Sequence, residues 1–283
     1  MIEAQQLATW QPHANWSQQW MVEQDYIISR AVKLIFADRF LSEQVAMRGG
    51  TILHKGHLAP ASRYSEDIDL VLVGDRPASH ISKALKRVLK PLFPAGPSEN
   101  IVATIVLAVR NYTQKSKIIR QTYVFDPVDQ QSALGKLKVE VNVNEVAPFA
   151  PVVPISMTIP DGNGGVTVMT VKSYDLNEML GTKLRALLQR EQGRDLYDLW
   201  RAYEVAQAGG AAVDPAKVGE AFRFYMDREG SPIPAGWVAA EVARRMNSPK
   251  FLNDMNSYLP LGVSYSPADA YDVFKNFYLP HLP

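Results

Sequence analysis

The spacing of apolar side chains changes character along the 283-residue chain. From residue 16 to about 39 it is helical: Trp20, Ile27, Ile28, Ala31, Leu34 and Ile35 recur at helical intervals, with Asp25 and Val32 off the stripe. A leading helix is predicted there. Between residue 45 and about 171 the pattern gives way to short β-branched runs at 68–73, 101–109, 118–125, 137–143, 152–159 and 166–171, each the length of a strand. One helical segment, 79–89, interrupts them and sets Ile81, Ala84, Leu85 and Val88 opposite Lys83, Lys86, Arg87 and Lys90. The stretch Asp161-Gly162-Asn163-Gly164-Gly165 reads as a hairpin turn, since Asn and Gly tolerate the positive φ such turns demand.

After Ser173 the period turns helical and stays so, predicting helices near 173–192, 194–208, 214–228, 237–246, 249–258 and 267–278. Ser173, Asp214, Ser248 and Ser266 stand at N-cap positions, and Pro215, Pro249 and Pro267 follow three of them, where a missing N–H is harmless. The expected architecture is α/β (α+β): a head of residues 1–172, with a mixed sheet, flanking helices and the leading helix, then a C-terminal helical bundle of residues 173–283. No fixed-period repeat or low-complexity tract interrupts this plan.

Composition narrows the chemistry. With 47% hydrophobic and 21% charged residues the chain is ordinary and globular, and 30 basic against 29 acidic residues exclude a nucleic-acid binder held by bulk charge. Any nucleic-acid contact must come from local patches. Zero cysteines exclude disulfides, a thiolate nucleophile and Cys-ligated metal centres. No eighteen-residue apolar run and no apolar segment behind a basic start are present, so the expectation is a soluble cytoplasmic protein without a membrane partner. The hydrolase-elbow, P-loop and dinucleotide glycine signatures are missing, and His54 and His57 have no partners at zinc-ligand spacing.

The densest polar cluster is Arg48-Gly49-Gly50-Thr51 … Lys55 … Arg63-Tyr64-Ser65-Glu66-Asp67-Ile68-Asp69-Leu70. On a strand, Asp67 and Asp69 project to one face and Ile68 to the other. Two like charges side by side call for a cation, although an isolated Asp-x-Asp is also common at solvated strand ends. The two glycines let backbone N–H groups approach phosphate oxygens, Thr51 adds a hydroxyl, and a helix starting there would present its positive end. Phosphates beside cation-binding carboxylates point to nucleotidyl transfer.

These residues resemble the first motif of the AbiEii/AbiGii-type toxins, a branch of the DNA polymerase β-like nucleotidyltransferases, and resemble the MenT-type tRNA-modifying toxins. Val22-Glu23-Gln24-Asp25-Tyr26 is similar to the family's Glu-x-Asp-Tyr signature. Lys183-Leu184-Arg185-Ala186 with Arg194-Asp195-Leu196-Tyr197-Asp198-Leu199 is similar to its helical Lys … Arg-Asp-x-x-Asp-Leu motif. The likeness spans roughly residues 20–200 and departs from the pattern in the link Gly56-His57-Leu58-Ala59-Pro60-Ala61-Ser62.

The resemblance implies a nucleotidyltransferase fold whose helical domain completes the active site. The reaction would move a nucleoside monophosphate from an NTP to an acceptor hydroxyl. That acceptor would be RNA, with the 3′ end of tRNA foremost, and the chain would act as a toxin restrained by a cognate antitoxin. Asp67, Asp69 and, as third carboxylate, Glu140 would hold two Mg²⁺ ions about 3.5–4 Å apart, or Mn²⁺ instead. Gly49, Gly50, Thr51, Arg63 and Ser65 would bind the nucleotide, and Lys183 and Asp195 would join the catalytic set.

From the residues alone, Glu140 belongs to the alternating run Leu137–Glu145, with Lys138, Asn142 and Asn144 on its face, and an ordinary wet-faced strand explains it equally well. Glu145 would lie on the opposite face. Lys183 flanks the stripe Leu176, Leu180, Leu184, Leu187, Leu188 and could simply snorkel. Asp195 and Asp198 share a helix face, with Asp198 read as structural and Arg194–Asp198 as an alternative pairing. The basic residues Lys83, Lys86, Arg87, Lys90, Arg110, Lys115, Lys117 and Arg120 suit an RNA backbone or plain solubility. Two other functions stay open: transfer to a small hydroxyl compound, and a catalytically inactive binding or regulatory module of the same fold.

Overall fold

The computed structural model describes residues 4–109, 112–128, 133–145, 147–228 and 233–283, with the side chains of 106–114 set aside. Seven strands build one mixed sheet: β1 (Val45–Arg48), β2 (Asp67–Leu72), β3 (Glu99–Val109), β4 (Tyr112–Phe125), β5 (Gly135–Asn142), β6 (Val153–Pro160) and β7 (Val166–Ser173). Their spatial order is β3-β4-β5-β2-β1-β7-β6. β2 runs parallel to β5 and antiparallel to β1, while β1 runs parallel to β7. The helices are α1 (Ala4–Trp10), α2 (Gln19–Ala37), α3 (Arg39–Gln44), α4 (Gly49–Ile52), α5 (Ala78–Leu89), α6 (Leu176–Gln189), α7 (Gly193–Gln207), α8 (Pro215–Arg228), α9 (Trp237–Arg245), α10 (Pro249–Asn253) and α11 (Pro267–Val273).

The chain forms two compact units, one of Met1–Ile105, Ser116–Pro148 and Val152–Tyr174, the other of Val106–Lys115, Phe149–Pro151 and Asp175–Pro283. In the first, Ile68, Leu70, Val139 and Val141 are fully or almost fully buried, and the alternate positions of β2 and β5 carry the polar residues. Helix α2 packs on β2, β5 and β6 through a stripe that includes Ile27, Ile28, Ala31 and Ile35. Asp161 closes the β6–β7 hairpin by accepting from the backbone N–H groups of Asn163 and Gly165.

In the second unit α6 is the central helix, packed on α7, α8 and α9. Gly181 lets α8 come close: a Cβ there would lie 2.8 Å from Ala221 Cβ and 2.9 Å from the Phe222 backbone nitrogen. Buried Glu178 accepts from the Phe149 and Ala150 N–H groups and from the Tyr225 hydroxyl, so this carboxylate helps to organise the core of the unit.

Three expectations change. Ser173 does not cap α6: β7 extends through it, Tyr174 N–H pairs with the Met47 carbonyl, and Asp175 caps the helix by accepting from Asn177 N–H. Helix α1 carries no long apolar stripe, so its period was too short to read; buried Leu7 and Trp10 hold it. The segment predicted at 249–258 divides into α10 and a 3₁₀ turn, and that at 267–278 into α11 and a wider turn. Asp214, Ser248 and Ser266 cap as expected, each accepting from a backbone N–H two or three residues on.

Candidate active site

Strand period and register together bring the polar cluster onto one surface. Asp69 lies opposite Glu140 of β5 and opposite Arg48 of β1, while Asp67 lies opposite Lys138. Arg120 of β4 faces Glu140. One row across four strands therefore reads Arg120, Glu140, Asp69, Arg48. Directly opposed like charges repel; here each outer arginine draws on a carboxylate. Arg120 donates to Glu140 at 2.7 Å, and Arg48 donates to Glu145 at 2.5 Å with its guanidinium over Tyr174. Lys138 Nζ donates to Asp67 Oδ2 at 3.1 Å.

Glu145 is not a strand residue on the far face. The strand ends at Asn142, whose side chain accepts from the Asn144 and Glu145 N–H groups and turns the chain so that the Glu145 carboxylate reaches Arg48. Such Asx turns compete with the ladder whenever Asn ends a strand.

The glycine turn sits against these carboxylates. Gly49 has φ +78°, and a Cβ on it would overlap Asp69 Oδ2 and stand 2.8 Å from Asp69 Cβ and Cγ. Gly50 faces Arg63 and Ser65: a Cβ there would meet Arg63 Nη2 at 2.6 Å and Ser65 Oγ at 3.0 Å. Thr51 donates its hydroxyl to the Asp67 carbonyl at 2.6 Å and lies 3.0 Å from Ser65 Oγ. Buried Arg63 donates to the Tyr64 carbonyl. Helix α4 thus starts where β2 presents its carboxylates, its first N–H groups unpaired by helical geometry. Of the sequence-predicted residues, Gly49, Gly50, Thr51, Arg63, Ser65, Asp67, Asp69 and Glu140 share the first unit.

The electrostatics mark Asp67. Burial, and next the charge of Asp69, push its carboxyl up to about 6 against the pull of Lys138. Burial alone would lower the Lys138 ammonium, yet the charge and hydrogen bond of Asp67 raise it.

Lys183 and Asp195 lie in the second unit. Lys183 is only 6% exposed, with Nζ 2.7 Å from Asp198 Oδ2 and 3.4 Å from Asp195 Oδ1. It does not snorkel. Asp195 also accepts two bonds from Arg190, each of 2.8 Å. Burial opposes its ionisation, but the charges of Arg190 and Lys183 overcome this and hold the carboxyl below its ordinary value. Arg194 meets Asp254 and Tyr258, so the alternative Arg194–Asp198 pairing gives way to Lys183–Asp198.

Residues 32–273 match the family described as nucleotidyl transferase AbiEii toxin of type IV toxin–antitoxin systems. The chain belongs to this family. As an AbiEii-type protein it is a nucleotidyltransferase, and its family implies an NTP substrate and a cognate antitoxin. Its fold is similar to that of MenT4, a nucleotidyltransferase toxin from Mycobacterium tuberculosis H37Rv, with TM-score 0.60 and 16% identity over 98% of this chain and 90% of that one. No curated protein matches by sequence. Among the described residues no helix is long and apolar enough to cross a membrane.

AbiEii-type nucleotidyltransferases generally use divalent metals, and the donor chemistry here fits one. Asp67 and Asp69 offer oxygen ligands suited to a hard cation, the Lys138 ammonium already rests on Asp67 as a cation would, and the Gly49 cradle keeps the Asp69 carboxylate clear. Among the described residues no three carboxylate or imidazole side chains converge as a metal cluster. Glu140 lies opposite Asp69 with its carboxylate on Arg120.

Sequence reasoning missed the support beneath this AbiEii site. Buried Asp25 of the Glu-x-Asp-Tyr signature pairs with Lys55 and accepts from Trp10 Nε1 at 2.8 Å, with the Lys55 ammonium over the Trp10 ring. Glu23 accepts from Val128 N–H at 2.9 Å. His54 and His57 contact Ser62 and Ser173. The one available signal was a charged pair inside a helix otherwise reading as core.

Proposed function

We propose that this AbiEii-type enzyme carries out metal-dependent transfer of a nucleoside monophosphate from an NTP to an RNA hydroxyl, with the 3′ end of tRNA as acceptor. The observation that carries the reading is the start of α4 set directly against Asp67 and Asp69: Gly49 abuts Asp69 and Thr51 is bonded to the Asp67 carbonyl. A phosphate on the α4 N–H groups would bring its neighbouring phosphorus to the two carboxylates. The acceptor oxygen attacks the α-phosphorus, the bond to the β-phosphate oxygen breaks, pyrophosphate leaves and the hydroxyl proton goes to solvent. A Mg²⁺ pair, or Mn²⁺, held by Asp67 and Asp69 with Glu140 as a third ligand, would supply the charge that acidifies the hydroxyl and offsets the leaving group.

The chain's own residues do the rest. Gly49, Gly50 and Thr51 cradle the phosphates, and Arg63 and Ser65 hold that cradle in shape. Lys183 serves as the triphosphate's cation, and Asp195, through its bonds to Lys183 and Arg190, positions it. We read residues 1–172 as the nucleotidyltransferase head and 173–283 as the helical domain. The exposed row Lys83, Lys86 and Arg87 on α5, with Lys90 at its C-terminal end, suits RNA phosphates. Arg87 partly serves Asp38, Arg120 serves Glu140, and Arg110 lies outside the described residues.

The test incubates the purified protein with each α-labelled NTP, Mg²⁺ and total RNA. Label on a tRNA-sized band, lost with a chelator, is the expected result. Labelling of a small hydroxyl compound and no RNA would overturn the acceptor.

A further inference from the structure

The first unit holds an open pocket of about 380 Å³ that the reaction as described leaves unused. Trp20, Glu23 and Gln24 of α2 form one wall, and Phe125, Leu134 and Lys136 at the ends of β4 and β5 form the other. Its chemistry is mixed in a particular way. Trp20 is 47% exposed and packs in a T-shaped pair with Tyr64, at 5.8 Å between ring centroids. The Phe125 ring lies across Gly135, where a Cβ would overlap it, giving a flat aromatic floor. Gln24 donates its amide nitrogen to the Glu66 carbonyl, which leaves its amide oxygen toward a donor. Glu23 is committed to Val128 N–H. Lys136 is exposed and forms no ion pair among the described residues.

Position gives this pocket a meaning. Lys136 shares a strand face with Lys138, two residues on, and Lys138 is bonded to Asp67. At the strand rise Lys136 stands roughly 7 Å along β5 from Lys138, the cross-strand neighbour of Asp67. Gln24 is bonded to the residue preceding Asp67. The α4 cradle follows β1, whereas the pocket lies toward β5, on the other side of β2. In the order of strands the cradle and the pocket thus flank β2, and the pocket lies near the Asp67 end of that strand.

We infer that this pocket receives an unpaired base of the acceptor RNA strand, stacked on Trp20, with Lys136 taking an adjacent phosphate. The inference rests on the RNA-acceptor reading above and adds where the strand lies. Aromatic side chains with a nearby cation bind single strands without demanding a sequence, because every base has a stacking face. A purely apolar ligand would leave Lys136 and the Gln24 oxygen unused.

The experiment measures binding without turnover. Full-length protein is titrated, with no NTP present, into a fluorescent single-stranded oligoribonucleotide and into the same strand with abasic sites at its last three positions. The parent should bind the abasic strand about tenfold more weakly, the loss expected for one stacked base. Trp20→Ala should show that loss on the intact strand and little more on the abasic one, while Trp20→Phe restores most of the affinity. Lys136→Gln should weaken both strands and flatten the salt dependence by about one phosphate contact. NTP affinity should be unchanged in all three. Unchanged RNA affinity in Trp20→Ala, or a loss of NTP affinity in its place, overturns the pocket assignment. A parent that binds the strand through Trp20 but labels no RNA upholds the pocket and overturns the acceptor reading, so the two failures are distinguishable.

Discussion

Replacing Gly49 with alanine separates the two demands placed on the turn before α4. The first is backbone: φ is +78°, where a β-carbon costs about 1–2 kcal/mol. The second is space, because the new methyl would overlap Asp69 Oδ2 and crowd Asp69 Cβ and Cγ at 2.8 Å, short of ordinary contact. The carboxylate must swing aside by a sizeable fraction of an ångström, and a displacement of about 1 Å in a reacting site can cost about 10²-fold in rate. Gly96→Ala isolates the first demand, since Gly96 has φ +76° with nothing within 4 Å of a built Cβ. Both variants should lose a few degrees of Tm; only Gly49→Ala should lose turnover, by about 10²-fold, assayed as NMP incorporation beside a thermal melt. Gly50→Ala, whose methyl meets only the ends of the Arg63 and Ser65 side chains, should fall between. Parental turnover in Gly49→Ala, or equal loss in Gly96→Ala, would refute the claim that this glycine keeps the Asp69 carboxylate in place.

Asp67→Asn and Asp69→Ala should each abolish transfer with Tm close to the parent's, as both carboxylates are half-buried on the polar face of β2 and outside the apolar core; turnover in a folded variant would contradict their role. Because the Asp67 carboxyl is raised to about 6 in the fold, Mg²⁺ affinity followed by calorimetry should weaken as pH falls below 6 and level off above 7. The same shift has a stability sign: a raised folded value means that protonation favours the fold, so its contribution is present below about 3.8 and fades as pH rises through 6. Lys138→Met, which removes the cation opposing that rise, should move the binding midpoint above 6. Lys183→Met breaks a buried pair and should cost about 3–5 kcal/mol in a denaturant melt, as well as severe loss of transfer at a temperature where the variant stays folded.

Six of the seven strands and their alternation were legible in the sequence because a period of two is local: Ile68 and Leu70 had to face the core, so Asp67 and Asp69 had to face the other way; the four residues of β1 were too short a run to read. Register was not legible, since which residue of β5 meets Asp69 depends on a pairing across some seventy positions. The register of β4 on β5, equally unread, made Arg120 the partner of Glu140 rather than one more member of a basic surface. The same holds for Lys183. Its place beside an apolar stripe was readable, but its enclosure by Asp195 and Asp198 depends on how α7 packs on α6. Glu145 was misread for a shorter-range reason, an Asn side chain that ends the strand two residues after Glu140.

The pairing of charges across the sheet bears on how a divalent cation would enter. Asp67, Asp69 and Glu140 bring three negative charges to adjacent strand positions, and Lys138 and Arg120 return two positive ones. The carboxylates are thus largely compensated by cations tethered to neighbouring strands, and a metal ion must displace Lys138 from Asp67 rather than fill an open anionic well. Exchange of one cation for another costs less electrostatically than gathering three unpaired carboxylates on one face, where directly opposed like charges destabilise a sheet. It also sets an order of commitment. If the proposed metal binds, Asp69, whose cross-strand neighbour Arg48 donates to Glu145, would be the ligand available first. Asp67 would follow once Lys138 withdraws, and Glu140 would join only if Arg120 releases it. Arg120→Gln should on this reasoning tighten Mg²⁺ binding, while Lys138→Met should tighten it more at pH well above the shifted midpoint of Asp67. Weaker binding in either variant at such a pH would mean that the tethered cations hold the ligands in place instead of competing for them.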